Sequence, residues 1–170
     1  MAWGKNRQQN GPNLRCQIGG LALLAGYVLL QILLPLRHLV IPGNPSWTEE
    51  GHRFAWHMKL RDKDASASFT LTNAAGETWQ VDPLEHLTAR QLRKMSNRPY
   101  MILQYAHFLA EEAAAQGHDA VVVQADVWAS LNGRPPQQLI DPTVNLAAQP
   151  RTLVSSDWIL PLTTPLFAEE

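Results

Sequence analysis

The stretch that most limits what this chain can become is IGGLALLAGYVLLQILLPL, Ile18–Leu36, nineteen residues without a charge. At about 1.5 Å of rise per residue, a helix of that length matches the hydrocarbon core of a bilayer. The run predicts a transmembrane helix over residues 17–36. This helix divides the chain into a basic stub (1–16), an elbow (37–47) and a soluble domain (48–170). Membrane lipid is then an expected partner.

The stub carries Lys5, Arg7 and Arg15 and no acid. Basic flanks stay cytoplasmic, so the domain is expected outside, in a periplasmic or extracellular space, with Arg37 the single charge opposing that orientation. A cleaved signal peptide is the competing reading. The run is longer than a usual signal core, and LPLRHL lacks small residues at a cleavage position. Gly19, Gly20, Gly26 and Gln31 suit packing against other transmembrane helices, although a single uncharged polar residue can also be tolerated in lipid.

About 130 residues follow the run, enough for one domain with its own core. The formal charge is −1, and lysine and arginine are scattered along the chain, which leaves no footprint for a nucleic-acid backbone. Cys16 is the single cysteine, so neither an intrachain disulfide nor a thiolate cluster can form.

Pro35 and Pro42 predict an extended exit from the helix, and Gly43-Asn44-Pro45-Ser46 predicts a turn. Proline at the middle position excludes Asn44-Pro45-Ser46 as a glycosylation sequon. Phe54, Trp56, Met58 and Leu60 alternate with polar residues at the period of a strand, as do Ser68–Thr72 and Glu77–Val81, with a turn at Asn73-Ala74-Ala75-Gly76. Thr88 can cap a helix running to Met95. Tyr100–Gln116 predicts a second helix, with Met101, Tyr105, Phe108 and Leu109 as its apolar stripe and Gly117 as its stop. Ala120–Leu131 reads as a strand closed by the turn signal Asn132-Gly133. Gln137–Leu146 can return antiparallel with a bend at Asp141-Pro142, and the proline-rich tail Asp157–Leu166 reads as a surface strap. The fold class expected is α+β: one transmembrane helix, then a small antiparallel sheet with two helices.

The succession LPLRHLVIPGNPSWTEEGHRFAWHMKL, VDP, ILQYAHFL and ADVWASLNGRPPQQLIDPTVNL resembles the C-terminal portion of the vitamin K-dependent gamma-carboxylase family. It is similar also to bacterial relatives with a horizontally transferred transmembrane domain. The resemblance spans about Leu33 to Leu162. Its most specific parts are Ser46-Trp47 with Gly51, the Trp56/Met58 pair, Gln104-Tyr105-Ala106, and Asp126, Trp128, Ser130, Asn132 and Arg134 at alternate positions before Asp141-Pro142.

The resemblance implies a lyase that converts peptide glutamate to gamma-carboxyglutamate with vitamin K hydroquinone, dioxygen and carbon dioxide. A lysine in upstream membrane helices is associated with starting that chemistry, and those helices are absent from this sequence. Lys59, Lys63 and Lys94 stand in charged stretches that read as solvated, without the apolar surroundings that depress a lysine pKa. The chain alone is therefore expected to bind no vitamin K hydroquinone and to be inactive, as a truncated frame or one half of a split protein. Its expected partners are other transmembrane helices and a peptide substrate. A free-standing, membrane-anchored binding module is the alternative.

His38, Glu49, Glu50, His52 and His57 crowd one region, but His52 and His57 fall on opposite faces of a strand and no metal motif is present, so no metal site is expected. Asp126, Asn132, Arg134 and Asp141 surround the predicted hairpin, either as a buried charge-assisted network or as substrate contacts. Trp47, Trp56, Trp79, Trp128 and Trp158 could build core or line a peptide groove, with Trp47 alternatively at the lipid interface. The site residues expected from sequence are Trp47, Trp56, Tyr105, Asp126, Trp128, Asn132, Arg134 and Asp141, with no catalytic group among them.

Overall fold

The computed structural model describes residues 14–36, 39–51, 61–152 and 154–165. The strand expected through Phe54–Leu60, with Trp56, lies outside them, as do His38, His52 and His57. Helix α1 (Leu14–Leu36) spans 23 residues, with Pro35 in its last turn. Its segment Gln17–Leu36 has a mean hydropathy of 2.0 and is long and apolar enough to cross a membrane. The leucines from Leu21 to Leu36 stand exposed, and Gly19, Gly20 and Gly26 have nothing within 4 Å of an added Cβ. Gln31 finds a partner within its own helix, its Nε2 donating to Tyr27 Oη one turn back at 2.6 Å.

After the exit, Gly43 turns the chain at φ 97° and Asn44 caps a single helical turn, α2 (Pro45–Thr48). The Asn44 side chain accepts from the Ser46 N–H at 2.9 Å, and Pro45 occupies the first helical position, where its missing donor costs nothing. This turn drives Trp47 inward. The residue is fully buried, and its Nε1 donates to the Leu160 carbonyl at 2.7 Å. The lipid-interface position for Trp47 is thereby corrected: the ring is core, and its one polar atom is satisfied by the C-terminal segment.

Four antiparallel strands follow, β1 (Lys63–Thr72), β2 (Thr78–Val81), β3 (Val122–Leu131) and β4 (Gln137–Gln138), in the order β2-β1-β3-β4. β1 and β3 pair over their full lengths, from Lys63 opposite Leu131 to Thr72 opposite Val122. Alternation gives the sheet one apolar face, with Phe69, Leu71, Val123, Val127 and Leu131 buried, and one wetter face. The turn between β1 and β2 closes on Asn73 Oδ1, which accepts from the Ala75 and Glu77 N–H groups. After β3, Asn132 and Gly133 adopt φ 53° and 77°, the pair of left-handed conformations that an Asn-Gly turn supplies at least cost.

The return strand is shorter than Gln137–Leu146. Only Gln137 and Gln138 pair with β3, and Ile140 instead bridges Ile159 of the tail. The backbone past Gln138 pairs with the tail instead, the Leu160 N–H donating to the Leu139 carbonyl and the Asp141 N–H to the Trp158 carbonyl, while Asp141 Oδ1 is taken up by the Thr143 N–H and hydroxyl. The tail is thus a strap with structural consequence, burying Trp158 and Ile159 against the core.

Helices α3 (Ala89–Ser96) and α4 (Pro99–Ala115) cover the apolar face of the sheet. Thr88 and Gln91 form a reciprocal capping box at the start of α3. The buried stripe of α4 runs through Ile102, Tyr105, Ala106, Leu109 and Ala113, spacings of three and four. Phe108 falls off that stripe and is 43 % exposed, which corrects its place in the expected one. The fold is α+β, as the alternation of periods implies.

Candidate functional site

Among the described residues, three recesses carry polar chemistry. A cleft of about 360 Å³ opens between α2, the first turns of α4 and the tail. Its walls include Glu50, Tyr100, Leu103, Gln104, Ser156 and Trp158. The left-handed conformation of Glu49, φ 63°, ends α2 and carries the chain into Glu50. There a Glu50 carboxylate oxygen accepts from the Ser156 N–H at 2.8 Å. Burial pushes the Glu50 carboxyl above its ordinary pKa, with the Ser156 hydrogen bonds opposing. A carboxyl, an exposed amide at Gln104 and an apolar wall thus share one cleft.

The second recess surrounds His86, which follows a 3-10 turn (Pro83–Glu85) capped by Asp82. His86 Nδ1 lies 2.9 Å from Tyr105 Oη, and its Nε2 lies 3.2 Å from a Glu112 carboxylate oxygen. Tyr105 and Glu112 are seven residues apart on α4, two helical turns, so both reach the same side of the helix. Burial pushes the Tyr105 phenol up to about 12, so the hydroxyl stays protonated at neutral pH. A carboxylate only accepts, so the tautomer with its proton on Nε2 satisfies both contacts: Nε2–H donates to Glu112 and Nδ1 accepts from Oη. Phe69 meets the Tyr105 ring edge-on at 4.9 Å, and Phe108 stacks on it at 5.9 Å. The sequence offered Tyr105 alone; His86 and Glu112 carry no motif, and the heptad spacing from Tyr105 to Glu112 was the one available signal.

The third recess, about 630 Å³, lies between α3 and the start of β1. Lys63 stands at its edge. The charged neighbours of Lys63 imply solvation, and the structure corrects this: burial lowers its pKa to about 8, with Glu49 opposing and Arg61 reinforcing the shift. Lys63 Nζ donates to the Trp47 carbonyl at 2.6 Å and lies 5.0 Å from the centroid of the same residue's ring. Glu49 and Arg61 form an ion pair beside it.

The four polar residues around the hairpin do not join into one network. Asp126 accepts from Gln138 Nε2 at 3.0 Å on the wet face of the sheet. Asn132 Oδ1 accepts from the Asp62 N–H at 2.8 Å, and Arg134 Nη1 donates to the Leu131 carbonyl at 3.1 Å. Asp141 accepts from Thr143 through both its side chain and its backbone, and these bonds hold its carboxyl below the ordinary range. Arg134 and Asp141 therefore fix their own turns, whereas Asp126 reaches across to β4 and Asn132 to the residue before β1. Trp128 is 46 % exposed, because its position on β3 points away from the buried Val127 and Ala129. Among the described residues, no group of three or more His, Cys, Asp or Glu side chains could hold a metal ion.

No solved structure matches the chain. A family model described as "Vitamin K-dependent gamma-carboxylase, lumenal domain" matches residues 17–165. That span takes in the apolar helix, the sheet with its covering helices and the tail that seals Trp47, and across it the chain belongs to the family of vitamin K-dependent gamma-carboxylase lumenal domains.

Proposed function

We propose that this carboxylase-related chain is the membrane-anchored C-terminal part of a gamma-carboxylase-like protein, its domain facing outward and supporting an active site built by further transmembrane helices. The observation that carries this reading is the continuity of the family match from within α1 through the soluble domain. A membrane helix and an outer domain matched as one unit are consistent with the last helix of a bundle and the domain it positions.

The Glu50 cleft is the place where a peptide would lie, with Trp158 and Leu103 offering apolar contact and Gln104 a polar one. Vitamin K hydroquinone, which the family implies, would sit among the other helices. The lysine with a lowered pKa opens on a cleft lined by charged side chains, and the cleft with the apolar wall presents a carboxyl and no lysine. Neither fits a naphthohydroquinone beside its base.

The test is expression of the chain alone and together with the membrane helices of a carboxylase of this family, followed by an assay of quinone-dependent incorporation of labelled carbon dioxide into a glutamate peptide. Incorporation is expected only when the helices are present. Incorporation by the chain alone overturns the reading.

A further inference from the structure

The recess beside Lys63 gathers cations from three elements. Arg90, Arg93 and Lys94 stand at i, i+3 and i+4 on α3, which places them on one side of that helix. Arg98 joins them from the cap of α4, and Arg61 and Lys63 face them from the start of β1. Arg61 is taken up by Glu49, and Lys63 by the Trp47 carbonyl. Among the described residues, the side chains of Arg90, Arg93, Lys94 and Arg98 have no acidic partner. Asp62, Asp64 and Glu49 also line the recess and offset part of this charge, but the cations outnumber them.

Arg90, Arg93, Lys94 and Arg98 repel each other across one space, and an anion between them offsets that repulsion. The guanidinium groups among them present paired N–H donors that match the oxygens of a phosphate, and Lys94 adds a point charge.

We propose that the recess between α3 and the start of β1 binds a phosphate-class anion, held by Arg90, Arg93, Lys94 and Arg98. The anion could be a free phosphate compound or a phosphomonoester lipid headgroup, since both present the same oxygens.

The test uses the full chain in nanodiscs, with pyrophosphate titrated calorimetrically at constant ionic strength in phosphatidylcholine discs. The wild type is expected to bind. Substitution of Arg90→Gln, Arg93→Gln and Lys94→Gln together weakens binding by about tenfold or more, as loss of charge-assisted contacts predicts. Arg151→Gln, an equal charge change per residue at the other cleft, leaves binding unchanged. If the triple substitution shifts the unfolding midpoint, Arg93→Gln alone is read in its place, with a smaller loss expected. Discs containing phosphatidic acid are compared with discs of matched charge containing phosphatidylglycerol. Selective competition by phosphatidic acid identifies the headgroup as the source, and equal behaviour identifies a free phosphate. Absence of pyrophosphate binding by the wild type, or equal weakening by the α3 substitutions and Arg151→Gln, overturns the proposal.

Discussion

Lys63 and Trp47 are locked together twice: the ammonium donates to the Trp47 carbonyl at 2.6 Å and rests over the Trp47 ring, 5.0 Å from its centroid. The strand that opens the sheet is thereby tied to the first turn after the membrane helix. Burial nevertheless holds the Lys63 pKa at about 8 against 10.5 when solvated, so between those values the unfolded chain carries a proton that the folded chain lacks. Stability therefore rises with pH through that window, and below about pH 8 the charged lysine costs the fold. The carbonyl and the indole face favour the charged form, which limits the gain to about 3 kcal/mol or less. Urea unfolding in detergent at about pH 7.5 and about pH 10 should show the rise in the wild type and a flatter response in Lys63→Met. An identical pH response in both proteins contradicts it.

Trp47 is sealed by the tail through its Nε1 hydrogen bond to Leu160. Trp47→Phe keeps most of the burial and leaves the Leu160 carbonyl without this donor, a loss of about 1–3 kcal/mol. Trp47→Ala adds a cavity and should cost about 3–5 kcal/mol. Equilibrium unfolding measures both, and limited proteolysis should cut near Leu160 earlier in either variant.

Tyr105 and Glu112 hold His86 between them, and the acceptor-only carboxylate selects the tautomer with the proton on Nε2. Tyr105→Phe removes the Oη contact while leaving the ring contacts with Phe69 and Phe108 in place, so a stability loss of about 1 kcal/mol is expected. The decisive reading is nitrogen NMR of His86. The wild type and Tyr105→Phe should both show the proton on Nε2, and a mixture of tautomers is expected once Glu112→Ala is added to the variant.

Gly133 closes the β3 turn at φ 77°, in the left-handed region that side chains disfavour. Gly133→Ala should destabilise by about 1–2 kcal/mol. Asn132→Ala should cost a similar amount, because the Asp62 N–H loses its acceptor. Thermal unfolding of both variants checks these values.

Elements governed by near neighbours were readable in the chain. The apolar run, the Thr88 cap, the stop at Gly117 and the Asn132-Gly133 turn depend on residues a few positions apart, and each stands where its spacing implies. The α4 stripe was readable less completely. Phe108 satisfies the period loosely, but the sheet meets the path through Ile102, Ala106 and Leu109, leaving Phe108 beside His86 and Tyr105.

The candidate sites were largely hidden, because they depend on distant contacts. Glu50 meets Ser156 across 106 positions, and Trp47 meets Leu160 across 113. Lysines and arginines that look scattered in the chain converge at one recess once α3 packs against β1. The sequence by itself determined the apolar helix, the α+β class, the principal turns and the family pattern, since these follow from composition, period and local backbone chemistry. Only the tertiary structure decided that Trp47 is core and Trp128 exposed, that Lys63 is desolvated, and that Tyr105 shares a histidine with Glu112. Burial and charge compensation belong to the surfaces that packing brings together, and a residue's own neighbours in the chain do not specify them.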